Sequence, residues 1–411
     1  MIVGAGGVGK TTISAALGLA AAAAGTATVL IAADPSRRLR DALGLERLGV
    51  KPRLMDRRRL AAAGLDTDLK LASMALEAHA VWDGMLERFV AMPEARRRIR
   101  ANSFYHNLTR RFAGADNAAA LAQLIELRGD KRFALHVVDM PPGGQTFDLT
   151  DGPANLARLL GSDSAQWLLE AGRLSARLTV TNRLAGLVFD QITRFAGVEP
   201  LAAIAEFFAA AADGAGAIAG RMREAEALLR SSATSFVLVT TAEPERLSAA
   251  SAMIADLKSA GLKLGGVILN RVADELTCAA LRSQRPTSPP HLLEIELLGE
   301  RAGDAAGAPN LERLADFFQE YATGCRTALL DAAHFAETLP AAVELALVPE
   351  IASTKHDLAT IAALARQLVM PLYGREVLQQ ARHVFAEPRS GRPLGGATGD
   401  RAAPSARALR R

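Results

Sequence analysis

The tightest constraint on this chain sits at residues 4–11, Gly4-Ala5-Gly6-Gly7-Val8-Gly9-Lys10-Thr11. The run fits the pattern G-x-x-x-x-G-K followed by Thr or Ser, which works only between a strand and a helix. Its glycines let the backbone curl until successive N–H groups point inward at phosphate oxygens. A helix opening at Lys10 aims its positive end at the same place. Lys10 reaches the β- and γ-phosphates, and the Thr11 hydroxyl is a hard oxygen ligand for Mg²⁺. ATP and Mg²⁺ are therefore the expected cofactors.

The surroundings suit such a loop. Thr12 to Ala24 has strong helix propensity and no proline. Thr28 to Ala32, TVLIA, reads as a strand and leads to Asp34-Pro35. Only Met1, Ile2 and Val3 precede Gly4, so either the first strand is clipped or the start lies upstream.

Further strands end in polar residues. Phe133 to Met140, FALHVVDM, is a continuous apolar run typical of a strand buried on both faces. It delivers Asp139 at its carboxyl end, where open parallel sheets bind ligands. Asp139 can hold Mg²⁺ through a water, and Asp34 can orient the attacking water. Thr11, Asp34 and Asp139 form the candidate metal set; Asp34 and Lys10 are the candidate catalytic residues. Two structural alternatives stay open: Asp34 as a helix N-cap, and Asp139 as a strand-end turn residue. Phe236 to Thr241 and Leu264 to Leu269 are further buried-strand candidates, the second leading to Asn270. A strand-end amide can pair with an adenine edge. The fold class expected is α/β: a doubly wound, mostly parallel sheet of the P-loop NTPase type with an inserted helical subdomain.

GAGGVGKTT, LIAADPSRRL, VVDMPPGGQT, TTAEPERL and ILNR, in that order and spacing, resemble the ATPases of the ArsA type. That family includes arsenite-pump ATPases and ATPases that target tail-anchored membrane proteins. The resemblance covers roughly residues 1–370 and is closest to bacterial anion-transporting-ATPase-like members. It implies that the phosphate loop extends to Thr12 and that Asp34 is the catalytic aspartate of a first switch. It places residues 139–146 in a second switch, with the Gly144 backbone close to the γ-phosphate. Glu243 and Asn270 would complete the nucleotide site, with Asn270 on the adenine and Pro349 covering it. The family works as a dimeric switch.

Departures from the family narrow this. Where it usually carries a lysine that reaches the partner's nucleotide, this chain has Ala5. Gln145 replaces the histidine of the arsenite ATPases. The only cysteines, Cys278 and Cys325, supply neither a three-thiolate metalloid site nor a C-x-x-C zinc site. The partner is thus either a second copy or a related ATPase that bears the lysine. The alternative function is a weakly hydrolysing regulatory subunit paired with such a relative.

The expected organisation is core at 1–68, a helical insertion at 69–130, and core with the second switch at 131–154. A helical subdomain follows at 155–230, then core at 231–380 and a disordered basic tail at 381–411. The insertions carry apolar stripes around Trp82, Met85, Leu86, Phe89, Phe207 and Phe208. These are either plain core or a groove for a hydrophobic or membrane-protein client, with residues 178–213 the best candidate for a groove. Arginine runs at 57–59 and 96–98 read as solvated helix faces, and no nucleic-acid partner is expected. No signal peptide or transmembrane segment is expected, and the location expected is cytoplasmic.

Overall fold

A computed structural model describes residues 1–33, 38–111, 115–141, 198–272, 308–351, 357–369 and 374–379. The loop follows β1 (Ile2–Val3) and opens α1 (Lys10–Ala23). Then come β2 (Thr28–Ala32), α2 (Arg38–Ala42), β3 (Arg53–Leu54), α3 (Arg57–Ala62) and β4 (Leu71–Ala75). A helical block, α4 (Ala78–Phe89), α5 (Pro93–Ala101), α6 (Ser103–Arg111) and α7 (Ala115–Arg128), precedes β5 (Leu135–Asp139). Beyond the helix Val198–Arg230 lie β6 (Phe236–Thr240), the helix Pro244–Ser259 and β7 (Leu264–Val272). The helix Ala308–Thr338, β8 (Glu344–Pro349) and the helix Leu358–Val369 follow.

Among the described residues the strands form one sheet in the order β3-β4-β2-β5-β1-β6-β7-β8. Every neighbouring pair is parallel except the edge pair β3–β4. This is the α/β, doubly wound sheet expected from the strand–loop–helix pattern. The first strand is only two residues long, as the sequence required. It is secured on both sides nonetheless, by β5 and by β6.

One apolar layer packs α1, α2, α3 and the helix Leu358–Val369 on one side of the sheet. α1 lies close because Gly18 has no side chain; a Cβ there would sit 2.3 Å from Leu30 Cδ2. The other layer holds the helices Pro244–Ser259 and Ala308–Thr338 with the C-terminal parts of α7 and Val198–Arg230.

Two features refine the sequence reading. Leu71–Ala75 is a fully integrated strand paired with β2, so the helical block starts at Ala78 rather than 69. LASMA conceals this strand because alanine and methionine carry little β preference. The second feature is the subdomain core. Trp82, Met85, Leu86, Ile99, Tyr105, Phe207, Phe208 and Met222 are buried together. The described part of the apolar stripes is therefore core. The part of the proposed groove at residues 178–197 lies outside the described residues.

The helix Val198–Arg230 joins the two regions. At 33 residues it is about 50 Å long. Phe207, Phe208 and Met222 belong to the subdomain core, whereas Ala225 and Leu229 belong to the sheet core. α7 does the same through Ala118 and Ala119 on one side and Leu121 and Leu124 on the other. A shift at the sheet thus has two rigid elements by which to reach the subdomain.

Candidate functional site

Parallel pairing brings the strand ends level. Ala32 of β2 and Ile2 of β1 both stand opposite Asp139 of β5, while Val3 stands opposite Leu238 of β6. The chain leaves β1 at Gly4 with φ 151°, and a Cβ there would lie 2.1 Å from the Val239 carbonyl oxygen. Only glycine can pass so close to a neighbouring strand in that conformation. The loop ends at Gly9, the N-cap of α1, with φ 90°. A Cβ on Gly9 would meet Asn270 Nδ2 at 2.3 Å. These two glycines let the loop lie close against the carboxyl-end parts of both β6 and β7.

Lys10 is buried, and its Nζ donates to the carbonyls of Gly4 (2.9 Å) and Ala5 (2.8 Å). The ammonium thus closes the loop on itself from within. Thr11 Oγ1 donates to Asp139 Oδ2 at 2.7 Å, and Ser14 Oγ donates to Asp139 Oδ1 at 3.1 Å. Both acceptor oxygens of the buried Asp139 are engaged by α1. Ala33, just before Asp34, donates its N–H to the Asp139 carbonyl at 3.0 Å. The hydroxyl and carboxylate are hard oxygen donors of the kind Mg²⁺ selects. A helix N-terminus behind a glycine loop, with a buried ammonium at the loop, suits a polyphosphate. The residues present fit both expected cofactors.

The structure places Gly4 to Thr12 in the turn after β1 and the start of α1, and brings Asp139 beside Thr11. Asn270 is brought to the loop, although its described bond goes to protein: Nδ2 donates to the Val8 carbonyl at 2.8 Å. Glu243 stands at the N-cap position of the helix Pro244–Ser259, with no side-chain capping bond, and lines a cavity of about 670 Å³ with Glu320, Thr323, Thr327 and Asp331 of the helix Ala308–Thr338. Pro349 stands level with Val272, and the following N–H of Glu350 donates to the Val272 carbonyl. Asp34 and Gly144 lie outside the described residues. Ser14 was missed; its signal was its place three residues after Thr11, on the same face of the helix.

A glycine loop that leaves a central parallel strand and opens a helix, with a helix hydroxyl bonded to the carboxylate that ends the adjacent strand, defines the P-loop NTPase class. Residues 1–297 match the model of the anion-transporting ATPase family, and the chain belongs to that family. Over 197 residues it is 28% identical to ATPase GET3A of Arabidopsis thaliana, covering 48% of this chain and 45% of that protein. ATPase ARSA1 of Chlamydomonas reinhardtii is 43% identical over 68 residues, 16% of this chain and 9% of the relative. ATPase GET3 of Ajellomyces dermatitidis is 23% identical over 301 residues, 72% and 80%. The chain thus spans less than half the length of the first two of these relatives. Among the described residues no helix is long and apolar enough to cross a membrane.

Proposed function

We propose that this chain binds ATP with Mg²⁺, hydrolyses it, and uses the cycle as a dimeric switch in the cytoplasm. The Thr11–Asp139 bond carries the reading, because it joins the first residue pair of α1 to the second switch expected at residues 139–146. Bound Mg²⁺ supplies charge neutralisation at the β- and γ-phosphates. Lys10 turns from its carbonyls to the phosphates, and the loop amides hold the oxygens. Thr11 and Asp139 would hold the metal, and Asp34 would position the attacking water. Asn270 keeps the loop in register with β7 and has a second amide hydrogen for an adenine, with Pro349 beside it. Glu243 rims the same strand ends.

The relatives are ATPases by name, and family membership supports the same activity here. The two helices shared by sheet and subdomain support transmission of the change to a client, hydrophobic or membrane-associated, at the subdomain. Asp34→Asn should retain ATP while losing turnover; co-purification in that state tests for the client. Equal turnover in wild type and Asp34→Asn would remove Asp34 from the catalytic set, and absence of turnover in wild type would rule out hydrolysis by this chain alone.

Ala5 favours a second reading: a nucleotide-binding subunit that hydrolyses poorly alone and pairs with a lysine-bearing relative. Mixing with such a relative separates the two. Asp34-dependent turnover by the purified chain alone supports the first, and turnover only in the mixture supports the second.

A further inference from the structure

Arg246 lies in the first turn of the helix Pro244–Ser259, directly beyond β6. Its backbone is fixed to the core. Its N–H donates to the Glu243 carbonyl at 2.9 Å, and its carbonyl accepts from Thr240 Oγ1 at 3.1 Å. Thr240 ends β6, the strand against which Gly4 is pressed. From this anchored base the side chain crosses to the phosphate loop. A Cβ built on Gly7 would lie 3.9 Å from Arg246 Nη2. Gly7 is exposed and has φ 81°, so it forms the outer rim of the loop. Lys10 occupies the inner side. Two cations therefore bracket the loop, one within and one on the rim.

Among the described residues no carboxylate comes within ion-pair distance of Arg246, unlike Arg96, Arg97 and Arg100, which pair with Glu87, Glu94 or Asp83. An exposed guanidinium held over a glycine loop is matched to the planar, two-point recognition of phosphate oxygens. Position 5, meanwhile, supplies only an alanine.

We propose that Arg246 is a further residue of the nucleotide site, touching the terminal phosphates of ATP bound in its own subunit. It supplies from the same chain the second cation that position 5 lacks. The contact develops as charge builds on the transferring phosphoryl group, so its loss falls on turnover more than on diphosphate binding. This inference rests on the ATP-hydrolysing reading above.

The test is steady-state turnover and equilibrium affinity for ATP and ADP, each with Mg²⁺, in full-length wild type, Arg246→Ala and Arg246→Lys. Arg246→Ala should lower turnover about tenfold to a hundredfold. It should weaken ATP more than ADP, and Arg246→Lys should recover part of the loss. Should alanine lower the melting temperature, Arg246→Gln removes the charge at similar length and gives the same readout. Wild-type turnover and an unchanged ATP-to-ADP affinity ratio in Arg246→Ala would overturn the assignment while leaving ATP hydrolysis intact. If wild type binds no nucleotide, both readings fall together.

Discussion

Asn270, two residues before the end of the sheet's seventh strand, donates from its side-chain amide to the Val8 carbonyl across 262 residues of sequence. The amide sits where the side chain of any residue but glycine at position 9 would be, 2.3 Å from an added Cβ. Loop geometry and β7 are thus tied through one side chain. Asn270→Ala leaves the Val8 carbonyl without this donor and should cost about 1–3 kcal/mol of stability. It should also weaken ATP binding. Gly9→Ala should cost more, since it adds a clash to a left-handed backbone. In the double variant the clash disappears and the backbone strain stays, so the two costs should sum to more than the cost of the pair. Thermal unfolding of the four proteins checks this; strict additivity would mean that Asn270 and Gly9 do not interact.

The Thr11–Asp139 bond predicts a specific metal phenotype. Asp139→Asn keeps the shape but removes the charge, and Thr11→Val removes the hydroxyl. Each should raise the Mg²⁺ concentration needed for half-maximal turnover, by about tenfold or more, given the several kcal/mol such metal contacts supply. A Mg²⁺ titration of turnover shows it. An unshifted midpoint in Asp139→Asn would remove this carboxylate from the metal set.

His136 lies three residues before Asp139, half-buried, with Nε2 3.2 Å from the Leu127 carbonyl. Burial holds its pKa below the ordinary histidine value of 6.5, against smaller raising effects of the Leu127 bond and the Asp130 charge. The folded state thus binds this proton less readily than the unfolded chain. Stability from this residue is complete above about pH 6.5 and falls as the pH drops below it towards the folded value. His136→Gln should flatten that part of the profile. Denaturant midpoints at pH 7.5 and 5.5 measure it, and an equal drop in both proteins would contradict the assignment.

The shared helices should report the nucleotide state. Trp82 is buried in the subdomain core, and the chain has one other tryptophan, Trp167. In a Trp167→Phe background, Trp82 emission should differ between ATP and ADP with Mg²⁺. Identical spectra would show that the sheet and the subdomain core do not move together.

Much of this was legible because phosphate chemistry needs a fixed order of residues. Gly4 to Thr11 named the loop, and the apolar run ending in Asp139 named the end of β5, whereas β7 runs past Asn270 to Val272. β4 was not legible: alanine, serine and methionine at 72–74 mark a strand only when sheet neighbours cover them. The bond of Asn270 to Val8 was hidden too, because it depends on how closely the loop packs against β7. Arg246 was equally silent in a helix start that reads as ordinary capping sequence. It becomes notable only once the β6 end is set beside Gly7.

The most direct measurement of the central claim is release of phosphate from Mg-ATP by the purified full-length chain, beside Lys10→Ala with its fold verified. Expected is turnover in wild type that falls by a hundredfold or so in the variant, the scale of losing a charge-stabilising group at the transferred phosphate. Turnover at the same rate in Lys10→Ala, or ATP binding undiminished by it, would contradict a nucleotide site built on this loop.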